Sequence, residues 1–135
     1  MATLKLEIVT PESKVYSEDV DMVTLPGGEG EMGIFPMHVP LMTQLTAGEV
    51  TARKDGQDYF LAVGDGFVEI TGERVSVLTD MAIKAENIDE GKAEDARKRA
   101  EARLAEKIDD EEAARVNAAL AQSLAQLKVK RRQLK

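Results

Sequence analysis

Apolar and polar residues alternate at the start of the chain. Leu4, Leu6 and Ile8 are apolar, while Thr3, Lys5 and Glu7 are polar. A period of two marks a half-buried strand. Further β-type runs follow at Val20 to Leu25, Glu49 to Arg53, Tyr59 to Val63, Phe67 to Ile70 and Val75 to Thr79. Turn signals separate them: Asp55-Gly56, Gly64-Asp65-Gly66 and Thr71-Gly72-Glu73. Gly64 and Gly66 read most simply as turn glycines that need positive φ. Many short strands at this spacing predict an antiparallel β-sandwich, or a barrel, rather than a parallel sheet.

Beyond Glu86 the period lengthens to that of a helix. One stripe carries Ala93, Ala96, Ala100 and Leu104, and a second carries Ala113, Val116, Leu120, Leu124 and Leu127. Asn87 with Glu90, and Asp109 with Glu112, have the spacing of capping boxes. The few residues around Lys107 and Ile108 leave room only for a tight turn. The second half is therefore expected to be an antiparallel helical hairpin. Composition breaks at the same place. All four prolines, all five aromatics and nine of the ten glycines precede Glu86, whereas eleven alanines follow Ile88. Glycine and aromatics suit strands and turns, and alanine suits helix. This divides the chain into a β-sandwich over residues 1–86 and a helical hairpin over 87–135.

The alanine stripe has an energetic consequence. Burying a leucine is worth roughly 1.5–3 kcal/mol, but a single methyl only about 0.8. The first helix should grip its neighbours weakly, so the hairpin is expected to leave the sandwich and open at modest cost. Its amides should then exchange faster than those of the strand core.

Charge and the missing residue types narrow the function. The net charge of −7 argues against general nucleic-acid binding. Residues 1–85 hold 6 basic and 14 acidic residues, whereas 86–135 hold 12 and 11, so the acidity sits in front. Lys128 to Lys135 contain five cations and no acid. With no cysteine and one histidine, disulfides and thiolate or multi-histidine metal sites are excluded. No signal peptide is visible at the N-terminus, and no apolar run nears the ~20 residues that span a bilayer. Both features point to a soluble, cytoplasmic chain.

Residues Gly28 to Gly33 read Gly-Glu-Gly-Glu-Met-Gly, a literal match to a nucleotide-binding pattern. The mechanics reject it. The third glycine should open a helix that binds pyrophosphate, yet Pro36 and Pro40 follow and forbid one. Glu29 and Glu31 also place negative charge where phosphate would sit. The stretch reads instead as a rigid acidic loop for protein contact. Glu29 and Glu31 could form an acid/base pair, but charges on a glycine loop are more often solvated or meet a polar partner. His38 has no nucleophile or carboxylate beside it, so it reads as a structural or contact residue. No catalytic residue is assigned. The basic tip, Lys128, Lys130, Arg131, Arg132 and Lys135, has three readings. It is a solvated helix end that complements the macrodipole, a nucleic-acid contact lacking aromatics for stacking, or a docking point for an acidic protein surface.

These residues together carry a resemblance. The run Gly30-Glu31-Met32-Gly33-Ile34-Phe35-Pro36-Met37-His38-Val39-Pro40-Leu41 resembles the signature of the epsilon subunit of F-type ATP synthases, of the bacterial type. Val9-Thr10-Pro11, Gly64-Asp65-Gly66-Phe67-Val68-Glu69 and the two-helix ending do as well. The resemblance spans essentially the whole chain. It implies a non-catalytic subunit of the rotor's central stalk, with the sandwich against the gamma subunit and the c-subunit ring. Glu29, Glu31 and His38 are implied contacts there. The hairpin is implied to lie folded on the sandwich or to extend into the head and block ATP hydrolysis. Its basic tip, Lys128, Lys130, Arg131 and Arg132, would then meet acidic segments of the alpha and beta subunits. The implied location is the cytoplasmic face of the cell inner membrane, peripherally, through the complex.

No cofactor is expected. Some members of this family bind ATP on the folded hairpin through an Ile/Leu-Asp-x-x-Arg-Ala motif. Here the run is Ile88-Asp89-Glu90-Gly91-Lys92-Ala93, so lysine replaces the arginine and its planar fork is lost. Arg99 has a counterpart in those members, but Gln122 and Gln126 stand where they supply arginines. Asp89, Lys92 and Arg99 would make at most a weak regulatory ATP site. The alternative reading, from another class, is a free-standing sandwich module whose helices dimerise. A small hydrolase using His38 and glutamates lacks a nucleophile.

Overall fold

The computed structural model describes residues 2–133. Ten strands come first: β1 Leu4–Val9, β2 Lys14–Val20, β3 Met22–Gly27, β4 Gly30–Ile34 and β5 Leu41–Leu45, then β6 Gly48–Lys54, β7 Gln57–Val63, β8 Gly66–Ile70, β9 Arg74–Thr79 and β10 Ala82–Lys84. A 3-10 turn at Ala85–Asn87 leads to α1, Glu90–Leu104, and α2, Asp110–Gln133. The hydrogen-bonded path runs β10-β7-β6-β3-β5-β8-β9-β1-β2, with β4 added beside β3. β3 and β5 share a single registered pair, Gly27 with Leu45. The sheet turns its corner there and forms two layers.

The core lies between the layers. Leu4, Leu6 and Ile8 of β1 are fully buried against Val20, Val23, Leu25, Val50, Leu61, Val68, Ile70, Val75 and Val77. Alternation made β1 legible: its inward residues are buried and its outward ones partly exposed. Register is set by turns. Asp55 and Gly56 both have positive φ (53° and 79°) between paired Lys54 and Gln57, as a type I′ hairpin demands.

Several expectations need correction. The sandwich is antiparallel except at β1, which pairs parallel with β9. Those strands lie far apart in sequence, so no local pattern announces the pairing. The Val20–Leu25 run spans a junction, with β2 ending at Val20 and β3 starting at Met22. Gly64 and Gly66 do not have positive φ, unlike Gly30 and Gly56. Their constraint is close approach: a Cβ on Gly66 would fall 1.9 Å from the Leu78 carbonyl oxygen, and one on Gly64 2.1 Å from an Asp80 carboxylate oxygen. The N-cap of α1 is Asp89, whose carboxylate accepts from Lys92 N–H at 3.0 Å, and not Asn87. Asp109 does cap α2, accepting from Glu112 N–H at 2.8 Å. Leu124, placed on the buried stripe from sequence, is 48% exposed.

The helices form an antiparallel pair. Arg103 near the end of α1 donates to Glu112 near the start of α2 at 2.6 Å. At the opposite end Arg131 of α2 reaches Glu94 at 3.1 Å and Glu90 at 3.4 Å on α1. It is α2 that lies against β6 and β7. Ala125 and Val129 pack there with Ala62, Ala85 and Ile88. These are mostly small side chains, so the burial per residue is modest. Of the alanine stripe of α1, Ala93 and Ala100 are buried.

Candidate functional site

The glycine run forms a β-hairpin rather than an irregular loop. Gly27 pairs with Gly30, which leaves Gly28 and Glu29 as a two-residue turn. Glu29 stands at the turn, and Glu31 lies on β4 opposite Pro26; both are exposed. His38 lies beyond the other end of β4. Its ring Nδ1 is 2.6 Å from the Val39 carbonyl oxygen. A carbonyl only accepts, so Nδ1 carries the hydrogen. Next to it Met37 has φ of 66° and its N–H donates to the Gly72 carbonyl at 2.7 Å. Three residue steps of β4, roughly 10 Å at strand rise, lie between Glu31 and the Ile34 end of the strand, beyond which His38 stands. The two glutamates and the histidine therefore do not form one cluster.

Sequence reasoning missed two sets of exposed apolar side chains. Phe35 (59% exposed), Met37 (82%) and Val39 (73%) project from the β4–β5 connection. Met42, Phe67 and Leu78 project from the outer face of β5, β8 and β9, where Phe67 stands opposite Leu78 in register. A depression of 420 Å³ adjoins Leu78, lined also by Val9 and Pro11. Exposed apolar groups of this size make both places candidate protein-contact surfaces. A signal was present: with Val68 and Ile70 facing inward, Phe67 had to face outward.

The basic tip is folded back onto its own chain. Lys130 Nζ donates to the Ala85 carbonyl oxygen at 3.3 Å. Arg131 is shared between Glu90 and Glu94. Hydrogen bonds from Arg97 hold the Glu94 carboxyl below the usual range, with Arg131 adding to the effect. Arg132 lies over the Phe60 ring, 5.5 Å from its centroid, and its Nε is 3.1 Å from Glu49 Oε2. Lys128 is exposed. Lys135 lies outside the described residues. Lys130, Arg131 and Arg132 therefore engage different groups of the chain. Glu49 and Phe60 were not foreseen, because only tertiary packing places them beneath α2.

Asp89 is committed to capping α1, while Lys92 and Arg99 are exposed two turns apart on that helix. Gln122 donates to Asp80 at 3.3 Å, and Gln126 reaches the Met81 sulfur at 4.0 Å. Both glutamines thus tie α2 to the connection between β9 and β10. Among the described residues no group of three or more His, Cys, Asp or Glu is arranged to hold a metal ion.

A β-sandwich with an exposed apolar face, carrying a helical pair on its other side, defines a two-part interaction protein. The chain belongs to the ATP synthase Delta/Epsilon chain family: the β-sandwich domain model matches residues 3–85 and the long α-helix domain model matches 86–131. It is 50% identical over 130 residues to the ATP synthase epsilon chain of Dehalococcoides mccartyi, covering 96% of this chain and 93% of that one. It is 38% identical over 130 residues to the epsilon chain of Laribacter hongkongensis, covering 95% and 93%. A chain of the Euglena gracilis mitochondrial ATP synthase has the same fold, with a TM-score of 0.79 at 24% identity over 95% of this chain and 81% of that one. Membership makes this a non-catalytic structural or regulatory subunit.

Proposed function

We propose that this chain is the rotor subunit that couples proton-driven rotation to ATP synthesis and restrains ATP hydrolysis through α1 and α2. Family membership makes it a central-stalk component of a membrane-associated ATP synthase. Residues 1–86 serve as the docking module and 87–135 as the regulatory one. The observation that carries this reading is their pairing in one chain: exposed apolar side chains on the outer sheet face, and a helical pair seated on the sheet mainly through small side chains and the Arg132–Glu49 ion pair. The apolar face around Met42, Phe67 and Leu78 suits the gamma subunit. Glu29 and Glu31 at the β3–β4 turn, and His38 at the far end of β4, suit the polar loops of the c-subunit ring. Released from the sandwich, the basic end of α2 suits acidic segments of the alpha and beta subunits.

No described helix is long and apolar enough to cross a membrane. The proposed location is peripheral, at the cytoplasmic face of the cell inner membrane, through the complex. Asp89, Lys92 and Arg99 form at most a weak ATP site, since Asp89 is used as a cap and the glutamines of α2 hold the sheet.

The ring contact has a direct test. Exposed charges act mainly by steering, and salt screens them. Changing Glu29 and Glu31 together to glutamine should weaken association with the c-ring at low ionic strength, and the difference should shrink as salt rises. Equal association of the variant and the parent at low salt would remove these residues from the contact.

A further inference from the structure

Among the described residues Glu49 is the one buried charged side chain, and it lies beneath α2. It sits on β6 opposite Ala62 of β7, on the outer face of the sheet, and its side chain is 5% exposed. Oε2 has no hydrogen bond. Arg132 Nε stands within ion-pair distance but its N–H is not aligned for one. A carboxylate with a buried, unbonded oxygen depends on its counter-ion. Arg53 and Asp58 line the same 250 Å³ groove, but Arg53 is taken by Asp58 at 2.9 Å. Glu31 of β4 lines it too and adds like charge, while Lys128 contributes more distantly from α2. Arg132 is thus the close counter-ion of Glu49, and it is half exposed, so a competitor in solvent can reach it.

We propose that Glu49 and Arg132 form a charge-operated catch for the hairpin. An acidic protein surface that draws Arg132 away leaves Glu49 buried without compensation, and that cost drives the end of α2 off the sheet. Capture and release are then one event. Only the identity of the competing surface rests on the regulatory reading above; the catch belongs to the folded chain alone. Burial pushes the Glu49 carboxyl above the usual range, opposed by Arg132 and Lys128 and helped by Glu31. A raised carboxyl favours the docked state when protonated. Its stabilising share is present below the ordinary pKa and is lost as pH rises through the docked-state value. Acid should therefore hold the catch closed even without Arg132.

Hydrogen exchange on the full-length chain alone tests this, read as protection factors for the amides of residues 123–133. At neutral pH Arg132→Gln should lower protection there by about tenfold, since one partner of a buried pair is gone. The β9 amides serve as the fold control and should keep theirs. Adding Glu49→Gln to that variant should restore protection to within about twofold of the parent. Lowering the pH through the raised Glu49 range should restore protection in the single variant. Unchanged protection in the single variant, equal loss in single and double variants, or equal loss across β9 would overturn the catch. No ATPase assay enters, so such a result leaves the regulatory reading to its own test.

Discussion

Replacing Gly66 by alanine should destabilise the sandwich by about 3 kcal/mol or more, at the upper end of overpacking costs. The added Cβ would stand 1.9 Å from the Leu78 carbonyl oxygen and 2.9 Å from Thr79 Cα. Both obstacles are backbone, so no side chain can swing aside. β8 and β9 would have to separate where Gly66 pairs with Thr79. A typical domain holds only about 5–15 kcal/mol in total, so a fall in Tm of about 10 °C or more is expected. Gly28→Ala is the control: a Cβ there meets nothing within 4 Å, and Tm should barely move. Thermal melts of the two variants decide between close packing and general intolerance of change. Equal melting of Gly66→Ala and the parent would refute the packing argument.

Phe67→Asp should leave the fold intact and abolish docking. The ring is 61% exposed, so the isolated chain loses little on substitution. In a contact the same ring is an aromatic anchor beside Leu78. Truncating such anchors costs about 2–4 kcal/mol, and a buried carboxylate adds desolvation. Affinity for the central stalk should fall by about 30-fold or more, since each 1.4 kcal/mol is tenfold. Pull-down with the gamma subunit, alongside a melt of the free variant, measures both. Undiminished capture would place the contact elsewhere.

The sequence allowed much of this to be read locally. The strict alternation of Leu4, Leu6 and Ile8 identified β1, and the Asp55-Gly56 turn identified its hairpin. The compositional break near Glu86 separated sheet from helices. What escaped was set at long range. β2 is not legible because Lys14–Val20 mixes polar and apolar residues without clean alternation. β4 reads as a loop because its glycines and glutamates suit a turn better than a strand. Asp89 displaced Asn87 as cap because the chain at Ala85–Asn87 first makes a 3-10 turn. Of the surfaces, the acidic turn and the basic tip stood out by charge. The apolar face and Glu49 did not, since exposure of Phe67 and burial of a glutamate depend on which element covers which face.

The proposed regulation draws on the electrostatics of the tip. Arg131 and Arg132 are held by Glu90, Glu94 and Glu49, so acids of the chain itself occupy the cations that an acidic partner would need. Folded and released hairpins then compete for the same groups, and modest differential affinity can shift the balance between them.

The central claim is that α1 and α2 restrain hydrolysis by an enzyme whose chemistry lies in other subunits. The most direct measurement is ATP hydrolysis by the assembled synthase carrying this chain truncated after Ile88, compared with the full-length chain. The sandwich keeps both proposed docking surfaces, so the complex should still assemble and its hydrolysis should rise. An intact complex with unchanged hydrolysis would contradict the account.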